Sequence, residues 1–258
     1  VAEPILQLKG INKSFGPVHV LHDVDFDVYP GEVTALVGDN GAGKSTLIKC
    51  LAGIYPIDSG QIVFDGSPVT VHGPKDAARL GIEIVYQDLA LADNLDIVEN
   101  MFLGREVMSP IRTLDEGTME RKAREALTSL AVRTVKSVRQ RVASLSGGQR
   151  QSVAIAKAVL WESRVVVLDE PTAALGVSQT EQVLELVRRL ADSGVGVVLV
   201  SHNMNEVLRV SDRIGALYLG RLAAEIPAEG TTVSQVVELI TTGRSGSLGL
   251  AAAANVTM

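Results

Sequence analysis

Gly38-Asp39-Asn40-Gly41-Ala42-Gly43-Lys44-Ser45 sets three glycines ahead of a lysine and a hydroxyl. Glycines let successive backbone N–H groups curl around phosphate oxygens, a geometry that side chains would obstruct. A helix starting there turns its positive end toward the same anion. Lys44 is then placed for the β- and γ-phosphates of a nucleoside triphosphate, and Ser45 for magnesium.

Two further stretches carry chemistry. In Val165-Val166-Val167-Leu168-Asp169-Glu170 two carboxylates end an apolar run. Asp169 suits magnesium, held directly or through water, and Glu170 suits a base that polarises or orients an attacking water. The plainer reading makes both helix-capping acids, since Pro171-Thr172 follows. In Leu145-Ser146-Gly147-Gly148-Gln149, Ser146 and Gln149 have the spacing of a capping box, which predicts a helix from here to about Leu160. Two adjacent glycines weaken a helix's first turn, but make sense where backbone N–H groups approach an anion closely. Set against a plain helix start, the motif reads as a second phosphate-binding helix end.

These residues need elements to position them. Residues 5–13 and 18–28 alternate apolar and polar, as half-exposed antiparallel strands do. Residues 33–37 read as a buried strand and 45–52 as a helix, so the phosphate loop lies between strand and helix. Further strands are expected at 61–64, 82–86, 165–168, 195–200 and 213–218. Residues 95–162 turn helical, with a charged stretch at 116–124. Val183, Leu186, Val187 and Leu190 share one face of a helix over 178–192. Strands alternating with helices imply an α/β fold with a mostly parallel sheet covered on both sides. No internal repeat is visible, and the Gly/Ser/Ala-rich stretch 243–258 reads as a poorly ordered tail.

The 258 residues suffice for one large α/β domain, or one with a helical insertion. Twenty-four basic residues against 30 acidic give a net charge of −6, which argues against broad nucleic-acid binding. A single cysteine, Cys50, allows no intramolecular disulfide, fits a reducing compartment and reads as a small buried hydrophobe. No apolar run is long enough to span a bilayer, and the first residues lack the basic and apolar regions of a signal peptide. A cytoplasmic chain is therefore expected.

With these motifs the chain resembles the ATP-binding-cassette (ABC) transporter ATPases over nearly all its length except the tail. The resemblance implies a P-loop NTPase, ABC-type nucleotide-binding domain over residues 1–242. It has an antiparallel β subdomain and a helical subdomain at about 88–162. It implies that Gly38, Asp39, Asn40, Gly41, Ala42, Gly43, Lys44, Ser45 and Thr46 bind ATP. Ser146, Gly147, Gly148 and Gln149 complete the site of a second ATPase chain, a homodimer being expected. Phe15 is implied as the aromatic that stacks on adenine, its alternative being a core phenylalanine. Gln87, after the strand 82–86, is implied to sense Mg2+ and the attacking water, and to link to the membrane partner. Ser45, Gln87 and Asp169 then hold the ion, while Glu170, His202 and Gln87 serve hydrolysis. His202 is the implied switch histidine; His19, His22 and His72 are assigned to surface or structure. Many family members carry Ser-Ala-Leu-Asp where this chain has Ala173-Ala174-Leu175-Gly176, so the interface aspartate is replaced.

Segments 38–46, 86–91 and 171–177 look like those of bacterial monosaccharide importers of the ribose, xylose and fructose type. That likeness implies two membrane permease subunits and a separate sugar-binding protein acting through them. It places the chain peripherally on the inner membrane face, with no nucleic-acid partner. The alternative is a soluble ABC ATPase acting on a nucleic-acid or ribosomal partner.

Overall fold

In the computed structural model, which describes residues 3–132 and 134–249, two sheets share one chain. The smaller is antiparallel, in the order β2-β1-β4-β5, from Leu6–Phe15 (β1), Val18–Val28 (β2), Ser59–Phe64 (β4) and Ser67–Val69 (β5). The larger comprises Val33–Gly38 (β3), Ile82–Val85 (β6), Val165–Asp169 (β7), Gly196–Val200 (β8), Arg213–Tyr218 (β9) and Arg221–Pro227 (β10). Its order is β10-β9-β3-β8-β7-β6, parallel except for the edge hairpin β9–β10.

Side chains alternate faces along a strand, and that parity divides the interior. Val166 and Leu168 of β7, with Val197 and Leu199 of β8, join a core shared with Gly147–Val159 (α5) and Val177–Asp192 (α6). Val165 and Val167, with Val198 and Val200, point the other way, toward β1, β2 and Lys44–Leu51 (α1). The four apolar residues of β7 are fully buried. Each such side chain contributes about 1.5–3 kcal/mol, so a charged residue inside this run is excluded until the strand ends at Asp169.

The expectation of helix throughout 95–162 is corrected. Among the described residues this stretch holds Ile97–Phe102 (α3), Glu116–Ser129 (α4), α5 and a short 3-10 turn at Val142–Ser144, with non-helical chain between them. Gly104 takes a left-handed conformation at φ 79°, and a Met108↔Leu114 bridge folds the following residues back on themselves. Besides β5, the elements Pro74–Arg79 (α2), Met204–Val210 (α7), β10, Val233–Thr242 (α8) and a 3-10 turn at Gly246–Leu248 are additional to the sequence expectation. Of segment 243–258, Ser245 is buried and donates to Glu238, while residues 250–258 lie outside the described residues.

Candidate functional site

The parallel register gathers the predicted residues at one sheet edge. Leu36 of β3 and Asp169 of β7 both pair with Val200 of β8, so Gly38, Glu170 and His202 follow closely beyond that line. Val85 pairs with Leu168, so Gln87 and Glu170 each lie two residues past that pair. Open parallel sheets bind ligands outside the carboxyl ends of their strands, and here four strand ends converge.

The phosphate loop follows from close packing. A Cβ on Gly38 would lie 2.5 Å from the Leu217 carbonyl oxygen, and one on Gly43 2.8 Å from the Leu21 side chain. Gly43 also adopts φ 106°, a conformation glycine alone takes readily. Asp39, Asn40, Gly41 and Ser45 are exposed at the loop surface, while Ala42 is buried beneath them and Thr46 is half-buried. The Lys44 ammonium donates to the carbonyls of Gly38 at 2.7 Å and Asp39 at 3.1 Å. Burial lowers its pKa, and Glu170, Asp39 and Asp169 act in the opposite direction.

Asp169 shares the parity of Val165 and Val167, which turns it toward α1 and Lys44. Its pKa is raised, first by burial and then by the Glu170 charge, with Lys44 and Lys49 offsetting. A desolvated carboxylate beside a second acid is a site that a divalent cation would stabilise. Among the described residues no cluster of three or more His, Cys, Asp or Glu side chains is assembled.

Glu170 has φ 50°, unusual for a side chain with a Cβ, and its N–H donates to the Val200 carbonyl at 2.9 Å. Such strain is about 1–3 kcal/mol and gathers at functional sites. Its Oε1 lies 3.1 Å from Nδ1 of His202, whose side chain is 71% exposed and open to a ligand. Gln87 is exposed in the turn after β6. Phe15, at the end of β1, is 41% exposed, which removes the core alternative. Cys50 is buried, with its thiol pushed up to about 11, as a structural cysteine should be. His19 and His22 lie together on β2 with ring centroids 3.8 Å apart.

Sequence reasoning missed Glu206. It accepts from the Thr172 hydroxyl at 2.5 Å and from the Asn203 amide at 2.9 Å, tying the turn after Glu170 to the turn around His202. Only the tertiary pairing of β7 with β8 brings these turns together, so no local signal marked it.

The capping box at α5 forms as expected: Gln149 N–H donates to Ser146 Oγ, and Ser146 N–H to Gln149 Oε1. The two glycines have a use within the chain as well. A Cβ on Gly147 would lie 3.0 Å from Leu175, and one on buried Gly148 3.1 Å from Gln179. They let α5 start directly against α6. Gly176 is different: it is the N-cap of α6 in extended backbone, without a side-chain cap, and nothing lies within 4 Å of a Cβ there. Gly176→Asp should therefore be accommodated and raise stability by a few tenths of a kcal/mol through the missing cap. A thermal melt that falls instead would show a constraint at this loop.

Comparison with known proteins agrees with this geometry. The profile of the family described as ABC transporter matches residues 21–173. The fructose import ATP-binding protein FrcA of Rhizobium meliloti is 46% identical over 245 residues, 93% of this chain and 94% of its own. The xylose/arabinose import ATP-binding protein XylG of Sulfolobus acidocaldarius is 43% identical over 246 residues, 95% of this chain and 97% of its own. A dimeric post-hydrolysis state of an ATP-binding cassette bound to ADP and Pi superposes with a TM-score of 0.71 at 26% identity, covering 88% of this chain and all of that one. The phosphate loop after β3, the acid pair two strands away at the end of β7 and the capped Ser-Gly-Gly-Gln helix thus meet a matching family over most of the chain, which belongs to the ABC transporter family as an ATPase cassette of the P-loop α/β fold.

Proposed function

We propose that this chain powers a membrane importer of a monosaccharide, closing as a pair on ATP and opening after hydrolysis. The observation that carries this is likeness along nearly the whole chain to the sugar-import subunits FrcA and XylG. Lys44 and the loop 38–46 bind the triphosphate, and Phe15 stacks on adenine. Ser45, Asp169 and Gln87 would hold Mg2+, which would supply positive charge against the phosphates. Glu170 takes up or orients the proton of the attacking water, with His202 beside it facing the γ-phosphate. Ser146, Gly147, Gly148 and Gln149 close over the nucleotide of the second copy, a pairing that the dimeric cassette supports.

Among the described residues no helix is long and apolar enough to cross a membrane. The importer of this reading includes membrane permease subunits, with which the chain works at the inner membrane face. A cleft of about 180 Å³ beside Gln87, lined by Tyr86, Asp88, Leu89 and Lys157 among others, supports docking of a permease there. A separate sugar-binding protein delivers the substrate through the permease. No observation favours a nucleic-acid or ribosomal partner.

The test is reconstitution in vesicles with a cognate permease and sugar-binding protein. ATP hydrolysis should rise when the binding protein carries one particular monosaccharide. Turnover indifferent to every monosaccharide offered would refute the proposed cargo class.

A further inference from the structure

We infer that Tyr55 and Asp58 are positioning residues for Phe15, fixing its ring as a platform for the base; this rests on the adenine role proposed for Phe15. A stacking platform must show a face to solvent yet hold still, and an exposed phenylalanine at a hairpin end meets only the first demand. The ring of Tyr55 supplies a perpendicular contact, with centroids 5.0 Å apart and planes at 77°. Lys13 Nζ stands 5.4 Å from the Phe15 ring centroid and is itself held by Asp58 Oδ1 at 2.7 Å. The other oxygen of Asp58 accepts the Ser14 N–H at 2.5 Å, and the Asp58 N–H donates to the Asn12 carbonyl at 2.9 Å. One aspartate therefore clamps the three residues that lead into Phe15.

Tyr55 is anchored in turn. It packs half-buried against the core beneath β1 and β2, and its N–H donates to the Lys49 carbonyl at 3.1 Å, in the last turn of α1. Lys49 Nζ lies 5.6 Å from its ring centroid. Helix α1 begins at the phosphate loop, and its eight residues span about 12 Å. The phosphate loop and the brace of the base platform thus sit at opposite ends of one rigid helix. This arrangement separates the two halves of the nucleotide: the brace acts on the base and leaves the phosphates alone.

The experiment measures binding of Mg·ATP and of inorganic tripolyphosphate to the full chain by calorimetry. Tyr55→Leu should weaken ATP about three- to tenfold, the range expected for an aromatic pair, with tripolyphosphate changed less than about twofold. Tyr55→Phe keeps the ring and should keep the ATP affinity. Asp58→Ala, at a carboxylate 42% exposed whose partner Lys13 is buried, should weaken ATP at least about twofold with the same selectivity in protein that a thermal melt shows to be folded, and it decides the matter if the leucine variant does not fold. Equal losses for both ligands would overturn the inference. So would unchanged ATP binding in Tyr55→Leu and Asp58→Ala while Phe15→Ala weakens it. Unchanged ATP binding in Phe15→Ala would instead overturn the platform role of Phe15 itself.

Discussion

Replacing Glu170 by glutamine is expected to lower ATP turnover by about 10²–10⁴-fold, the usual contribution of a positioned acid or base, with ATP binding retained. The substitution keeps the shape of a side chain held tightly: the backbone N–H is pinned to Val200, and the carboxylate sits 24% exposed beside His202. What it removes is the capacity to take a proton. Because the strained turn and the Thr172–Glu206 tie remain, the variant should fold, bind Mg·ATP and accumulate as a closed pair. Phosphate release, calorimetry and gel filtration check the three parts. Turnover at the wild-type rate would remove Glu170 from the mechanism.

Lys44→Ala should cost more binding than any other single change at the loop. Removing one member of a desolvated charge pair costs about 2–5 kcal/mol, which is roughly 30- to several-thousandfold in ATP affinity. The ammonium now spends its hydrogen bonds on the Gly38 and Asp39 carbonyls. Losing those two bonds should lower stability by only about 1 kcal/mol each. A thermal melt therefore separates a binding defect from an unfolded loop. Lys44→Arg should not rescue binding, since a planar guanidinium is a poor substitute for a compact ammonium at a closely packed loop. ATP affinity within a few-fold of wild type in Lys44→Ala would show that the loop binds its anion through backbone groups alone.

The strands and the phosphate loop were legible because their signals are local. Val165 to Leu168 can hardly be other than a buried strand, and glycine spacing around Lys44 reports directly on backbone geometry. The capping box at Ser146 and Gln149 was legible for the same reason. Other features depend on partners distant in sequence. β10 is half-buried along most of its length and exists as an edge through pairing with β9. α2 and α7 have six and seven residues, too few to show a full apolar stripe. Residues 103–115 differ: Gly104 and the Ser109-Pro110 pair are breaker signals present in the sequence that the helical reading passed over, and the Met108↔Leu114 bridge folds the segment back. Within the site, the motif acids were readable, whereas Glu206 and the brace at Tyr55 and Asp58 depend on contacts across the fold. For the paired glycines the sequence offers a role toward an anion, whereas their fit against Leu175 and Gln179 is visible only once α5 and α6 are packed together.

That fit has a mechanical consequence. Because nothing bulkier than hydrogen separates Gly148 from Gln179, a shift at the start of α6 is passed on to the start of α5 without slack. In the proposed pair, α6 follows the turn of a protomer's own hydrolytic acid, while α5 presses on the nucleotide its neighbour has bound. Each protomer would then feel the fate of its own phosphate as a push on the other's, so the two turnovers would keep time through a seam between two helices.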